Sequence, residues 1–340
     1  ASGGHDPWQL MGLVGAFILM LASIGVAIVR LGKVWDDARS IFIMLMLLFV
    51  ELAVSFDDTL VVNSGQGIPL LVAGWAFGTT VFEVMLRTLG IRFPKLYRIP
   101  FHVMLALLFL YPLTMVPAIE NSWHGTIQWQ LLAYSFVVAA SLLLLVPAVR
   151  RGAAYAADNG TPWKWPAFPL VPFGILLAGL IVRSYAMCVS LDPAISQHIS
   201  EARQLESIFT GYFITPILLA IAVLTLEMGK ATGSLKLKKW GLGLPALAVA
   251  VSIQTPGYTQ LQTDFLAVVT EQFASPLFLG LLSSVSLYSF AMIRRIPRAD
   301  VWLTAAICGL SFVEPTSVSF GPLTEPRLAP LALLAIGHVA

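Results

Sequence analysis

Long apolar runs recur from one end of this 340-residue chain to the other. Each run is about 20 residues long, which as a helix spans a hydrocarbon core about 30 Å thick. Only 11% of the residues are charged, compared with about 25% in an ordinary soluble domain. The sequence therefore predicts an all-α, multi-pass integral membrane protein, with no soluble domain of useful size between its spans.

About ten to eleven candidate spans are bounded by charged residues and by proline or glycine clusters. They cover residues 9–29, 40–56, 67–90, 100–118, 129–149, 166–188, 207–228, 240–254, 276–293, 300–314 and a run from about 328. The last run is short for a spanning helix, so we expect it to be incomplete and the natural chain to continue. Residues 1–340 are interpreted as a single transmembrane domain.

Lysine and arginine are concentrated in alternate connections between the spans. The basic residues of these connections are Arg30, Lys33, Arg39, Arg92, Lys95, Arg98, Arg150, Arg151, Lys164, Lys230, Lys236, Lys238, Lys239, Arg294, Arg295 and Arg298. Short basic loops remain in the cytoplasm, so the pattern predicts an N-terminus on the outer side. No basic residue precedes Arg30, which argues against a signal peptide. The predicted location is the bacterial inner (plasma) membrane.

Five similar segments follow the even-numbered spans. They are "SFDDTLV" at 55, "TMVPAIE" at 114, "SLDPAIS" at 190, "SIQTPGY" at 252 and "SFVEPTS" at 311. Each has a hydroxyl residue, an apolar residue and then a polar or proline-containing break. One interpretation is a general stop signal for membrane helices. The other is an internal repeat of two-helix hairpins that gathers polar helix ends on the outer face.

Glu51 and Arg183 carry charge inside predicted spans. An ionised side chain at such a depth costs at least about 2.5 kcal/mol, so Glu51 should face protein or water, be paired, or be protonated, and Arg183 needs a partner. Arg183 has no acidic neighbour in its own span, and both residues lie in the predicted outward half. We therefore expect them to pair with each other, either to fix helix packing or to line a substrate or ion pathway.

Asp57, Asp58 and Asp192 lie at predicted outer helix ends. Solvated helix ends would explain acidic residues at these positions. The alternative is the outer mouth of a cation pathway. On one continuous helix, Glu51 and Asp58 would share a face about 10 Å apart, and two carboxylates facing a wet cavity would attract cations.

Glu83 and Arg87 are four residues apart, which predicts a structural ion pair along one helix. The five histidines fall in separate segments, without the spacing of haem or metal ligands. No cofactor is identified, and no combination of serine, cysteine, histidine and aspartate predicts catalysis.

Two functions fit these features. The first is a transporter or channel-like permease for an ion or small solute, with Glu51, Asp57, Asp58, Arg183 and Asp192 as pathway or binding residues. The second is a non-catalytic anchor or scaffold subunit of a larger membrane complex, with other membrane subunits as partners. A lipid-processing membrane enzyme is a weaker third hypothesis. The lipid bilayer is a predicted partner in every case, and the scattered basic residues argue against nucleic acid binding.

Overall fold

The computed structural model describes residues 6–121, 123–195, 211–253 and 260–316. Within these ranges every regular element is a helix and there is no strand, which confirms the all-α prediction. The predicted run from about 328 lies outside the described residues. Contacts divide the chain into two compact units, residues 1–134 with 151–205 and residues 135–150 with 206–340.

The described residues contain fifteen α-helices. They are α1 (Pro7–Ala27), α2 (Trp35–Val54), α3 (Asp57–Val62), α4 (Ser64–Leu89), α5 (Lys95–Leu110), α6 (Val116–Glu120), α7 (His124–Leu143), α8 (Val146–Arg150), α9 (Gly152–Tyr155), α10 (Ala167–Ile195), α11 (Gly211–Thr232), α12 (Leu235–Ser252), α13 (Gln260–Phe273), α14 (Pro276–Ile293) and α15 (Ala299–Leu310). A π-helical turn, Ile28–Gly32, extends α1, and a 3-10 turn, Tyr111–Met115, joins α5 to α6.

Among the described residues, eight helices or helix runs are long and apolar enough to cross a membrane, fewer than the ten to eleven predicted. Two predicted spans account for most of the difference. The helix α12 includes Lys236, Lys238 and Lys239 within its 18 residues, and charges of this kind lower its suitability for a hydrocarbon core. The helix α15 has 12 residues and is therefore about 18 Å long, too short for a bilayer core of about 30 Å.

Local signals fix where several of these helices begin and end. At the start of α1, the Asp6 carboxylate accepts a hydrogen bond from the Trp8 N–H at 3.1 Å. The Ser275 hydroxyl does the same for the Phe278 N–H at the start of α14, also at 3.1 Å. Side-chain acceptors of this kind satisfy N–H groups that have no partner in the first turn. At the other end of a helix, α4 stops at Gly90, whose φ of +70° suits glycine.

An aromatic cluster forms the core of the first unit. Phe82 of α4 stacks on Phe101 of α5 with ring centroids 3.8 Å apart. Phe93, from the loop between these helices, contacts Phe101 and also reaches Phe168 and Phe173 of α10. All five rings are buried. They hold α4, α5 and the beginning of α10 together.

In the second unit, α11 and α12 form a closely packed hairpin. A Cβ atom at Gly241 of α12 would lie 2.7 Å from Cγ of Leu226 on α11, so glycine is required for this approach. Leu226 belongs to a buried apolar cluster with Leu242 and Tyr288. The Tyr288 hydroxyl donates to the Leu242 carbonyl at 2.8 Å, which ties α14 to the hairpin.

Candidate functional site

The span that contains the acidic motif is interrupted for two residues. The helix α2 ends at Val54 and α3 begins at Asp57, with the Ser55 N–H and hydroxyl both donating to the Glu51 carbonyl, at 2.9 and 2.8 Å. The final carbonyl groups of a helix lack intrahelical donors and need other partners. One of them, the Ala53 carbonyl, accepts a hydrogen bond from Nη1 of Arg183 at 2.7 Å.

Arg183 of α10 also binds Asp57 at the start of α3. The same Nη1 donates to Oδ2 of Asp57 at 2.5 Å, and the two side chains are 0% and 4% exposed. Within the part of the chain that the structure describes, three polar atoms of the pair have no hydrogen-bond partner: Nε and Nη2 of Arg183 and Oδ1 of Asp57. The pair is therefore buried and charge-balanced, but three of the five nitrogen and oxygen atoms of its charged groups have no partner.

The unused atoms of Arg183 have a defined geometry. Nε and Nη2 lie on one edge of a planar guanidinium, and two parallel donors on that edge match the two oxygens of a carboxylate. Arg98 uses the same two atoms to bind both oxygens of Glu83. The free edge of Arg183 thus has the form that this protein uses elsewhere to hold a carboxylate.

A small cavity adjoins Asp57. It has a volume of about 10 Å³, and its lining includes Leu60, Met115, Met187 and Ser190. That volume is about the minimum that holds one water molecule. The cavity is too small for an organic solute.

Tyrosines pack beside the pair. The Tyr134 hydroxyl donates to the Leu180 carbonyl at 3.2 Å, one turn before Arg183 on α10. Its ring lies 4.6 Å from that of Tyr111 in an edge-to-face arrangement, and Tyr111 donates to the Gln130 carbonyl at 2.5 Å. These contacts hold the helix that carries the guanidinium.

The predicted pairing of Glu51 with Arg183 is wrong, because Arg183 binds Asp57. Glu51 is exposed on α2, and its side chain has no ion-pair partner in the described part of the chain. Pairing was predicted because both charges lie in the outward half of their predicted spans. Asp57, six residues after Glu51, is instead the carboxylate on the buried side of the unit, where it meets the guanidinium.

The structure also differs from the prediction that Glu51 and Asp58 share one helical face. Asp57 is buried and neutralised by Arg183, whereas Asp58 is exposed. Because α2 and α3 are separate helices, Glu51 and Asp58 are not on one continuous helical face. Asp192 falls in α10, and its side chain lies outside the described residues.

Glu83 is paired, but with partners other than Arg87. Its carboxylate binds both Arg98 and His102 of α5, the histidine through Nε2 at 2.8 Å. Arg87 is exposed in the last turn of α4, where a cation is favoured by the helix dipole. The bond across the α4–α5 hairpin thus replaces the predicted bond along α4.

Glu227 of α11 is a buried charge that sequence reasoning assigned no role. It is 2% exposed, and its two oxygens accept from Arg150 and Arg294, each at 2.7 Å. Both arginines belong to the basic connections. Because Glu227 lies near the end of α11 that faces those connections, the sequence contained a signal for this pairing. The carboxylate joins α8, α11 and the end of α14 within the second unit.

No group of three histidine, cysteine, aspartate or glutamate side chains suited to a metal ion occurs among the described residues. Within the described residues, the ion-paired clusters of the first unit are Arg183–Asp57 and Glu83–Arg98–His102. Comparison with known proteins adds no family, since no protein-family model, curated protein or solved structure matches this chain.

Proposed function

We propose that this chain is an integral membrane permease for an ion or small solute, with Asp57 and Arg183 at its binding centre. The observation that carries the proposal is the unused hydrogen-bonding capacity of this fully buried pair. A buried ion pair that serves only packing is stabilising when its remaining donors and acceptors are also satisfied. Three unsatisfied atoms instead favour a site that a ligand completes.

The helix interruption supports the same function. Many transporters place their binding sites at discontinuous membrane helices, where freed backbone groups and helix ends contact the solute. Here α2 and α3 are separated beside the charged pair, and one freed carbonyl is already bound by Arg183. A change in this short interruption would move Asp57 without disrupting the longer helices.

The chemistry of the pair favours a solute with a two-oxygen anionic group, such as a carboxylate. The Nε and Nη2 edge of Arg183 supplies two donors in the required geometry, and Oδ1 of Asp57 supplies an acceptor for a donor on the same solute. Because the pair itself is charge-balanced, a zwitterionic solute such as an amino acid, with one positive and one negative charge, leaves the buried site neutral. The small cavity of about 10 Å³ beside Asp57 then represents a state without room for that solute.

An anchor subunit is the second candidate, and Glu51 favours it. This exposed carboxylate lies on α2, within the membrane-length run Ser40–Val62. A lipid-facing carboxylate is costly, so Glu51 requires water or a basic group on another subunit. A stable complex in which a partner's cation covers Glu51 would favour the anchor function.

Transport into proteoliposomes tests the first proposal. Radiolabelled acetate and glycine are suitable probes, because one carries the anionic group alone and the other both charges. Arg183→Lys retains the charge but loses the two-donor edge, and should abolish uptake of any probe that the wild type accumulates. Glu83→Gln removes a different intramembrane carboxylate and is the matched control. Equal uptake by wild type and Arg183→Lys, or none of either probe by the wild type, would place the anchor function first.

A further inference from the structure

An apolar cavity of about 130 Å³ lies between α2, α4 and α10 in the first unit. All the residues that line it are apolar, and they include Phe42 of α2, Met85 of α4 and Val171 of α10. These three are half-buried, so the cavity extends to the surface of the unit. An engineered apolar cavity of about 150 Å³ in another protein remains dry and binds benzene, so a space of this size suits a hydrocarbon ligand.

The cavity lies beside the end of α4 and the beginning of α10. Its lining comes from the middle of α2, the last turns of α4 and the first turns of α10. Two loops meet at this end, because the Arg92 N–H donates to the Asn159 carbonyl at 2.8 Å. The loops are in close contact, since a Cβ atom at Gly160 would lie 2.6 Å from the Gly90 carbonyl oxygen.

Two exposed cations flank the cavity on these loops. In the sequence, Arg92 lies between Ile91 and Phe93, which both line the cavity. Lys164 directly follows Trp163, another lining residue. Neither cation forms an ion pair within the described residues. A hydrocarbon-sized space is therefore combined with unpaired positive charge at one end.

Trp163 adds an unpaired donor. Its Nε1–H is buried and has no hydrogen-bond partner in the part of the chain that the structure describes. The ring packs edge-on against Trp35 and Phe42, with centroids 5.6 and 6.0 Å away. An indole with an apolar body and a free N–H is suited to the boundary between acyl chains and headgroups.

We propose that this cavity binds one acyl chain of an anionic membrane phospholipid. The chain fills the apolar space, an ester oxygen accepts from Trp163, and the phosphate lies against Arg92 and Lys164. Charge complementarity identifies the lipid class, because each lysine or arginine near a membrane surface strengthens the binding of anionic headgroups. The proposal is independent of transport, since it uses none of the atoms of the Arg183–Asp57 pair.

Native mass spectrometry of the delipidated full chain in detergent tests the proposal. Phosphatidylglycerol and phosphatidylcholine with identical acyl chains are the probes. The wild type should retain phosphatidylglycerol in preference, and Arg92→Gln with Lys164→Gln should reduce that preference about 30-fold. Val171→Phe fills the cavity and should reduce retention of both lipids.

A matched double variant provides the control. Lys236→Gln with Lys239→Gln removes two exposed cations from α12 of the second unit and should leave the preference unchanged. An equal loss in this control, or equal retention of the two lipids by the wild type, would overturn the proposal. So would competition by palmitate as effective as that by phosphatidylglycerol, because the occupant would then need no phosphate. If Val171→Phe does not fold, the exposed substitutions Arg92→Gln and Lys164→Gln still test the proposal by themselves.

Discussion

The guanidinium of Arg183 donates from Nη1 to Oδ2 of Asp57 at 2.5 Å, across 126 positions of sequence. The contact joins α10 to the start of α3 and leaves the second donor edge of the guanidinium unused. It is both the most buried charge interaction of the first unit and the least complete one. The stability of the contact and the access of water to it can therefore be tested separately.

Loss of either member of the pair should destabilise the protein. Asp57→Leu leaves a buried guanidinium without its carboxylate, and the free energy of unfolding should fall by about 3 to 5 kcal/mol. Combining it with Arg183→Met should recover much of that loss, because both charges are then removed. Reversible unfolding in bicelles measures this cycle. Additive losses would contradict direct coupling, and Glu51→Gln, which alters an unpaired exposed carboxylate, should show no coupling to Arg183.

The Glu227 cluster should show an asymmetric response. Glu227→Gln leaves two arginines without their shared carboxylate, whereas Arg150→Gln or Arg294→Gln leaves the other arginine in place. The carboxylate is 2% exposed and the arginines 44% and 30%, so water compensates the arginines more readily. Melting temperatures should fall most for Glu227→Gln. A larger fall for either arginine variant would show that the carboxylate is not the central member, and Lys239→Gln, an exposed change in the same unit, should have little effect.

Close backbone packing predicts opposite effects for two glycine substitutions. A Cβ atom at Gly67 of α4 would lie 2.4 Å from Cα of Leu60 on α3, whereas at Gly174 of α10 it would meet nothing within 4 Å. Gly67→Ala should destabilise the protein by about 1 to 3 kcal/mol. Gly174→Ala should stabilise it by roughly 0.5 to 1 kcal/mol, because alanine favours helix. Equal effects on the melting temperature would indicate that α3 is not held against α4 in this way.

The predicted orientation has a direct chemical test. A cysteine at Ser64 should react with an impermeant thiol reagent added outside intact cells, because basic loops remain in the cytoplasm. A cysteine at Ser234, beside the basic start of α12, should be protected. The reverse pattern would mean that the N-terminus faces the cytoplasm. The native Cys188 and Cys308 should be replaced by alanine beforehand, since Cys308 is exposed.

The sequence was sufficient to predict that the chain is helical and where the membrane-length runs lie, but not the interruptions within those runs or the ion pairs. Each of the eight membrane-length runs among the described residues corresponds to an apolar run in the sequence, which is a local property. The partner of a charge depends on which helices pack together, and Arg150 reaches Glu227 across 77 positions. Asp57 was assigned to a solvated helix end or an outer mouth because it directly follows the predicted span 40–56, and no local signal indicated that it is buried against α10.

Two of these pairings were accessible in part. Arg98 and His102 lie four residues apart on α5 and so share one face, a spacing that makes both available to Glu83 when α4 and α5 pack as a hairpin. No comparable local clue linked Arg183 to Asp57. That contact depends on α10 packing beside α3, which is a matter of tertiary structure.

The most direct test of the permease proposal asks whether water reaches the Arg183–Asp57 pair. Leu60 is 2% exposed and lines the small cavity beside Asp57, whereas Leu70 of α4 is 0% exposed and does not line it. Each is replaced by cysteine in the background without native cysteines, and labelling by an impermeant thiol reagent is measured in proteoliposomes. The proposal predicts that Leu60→Cys is labelled while Leu70→Cys is not, because a pathway must open beside Asp57. If Leu60→Cys stays as unreactive as Leu70→Cys while Ser64→Cys is labelled, the pair is a static structural contact and the permease proposal is wrong.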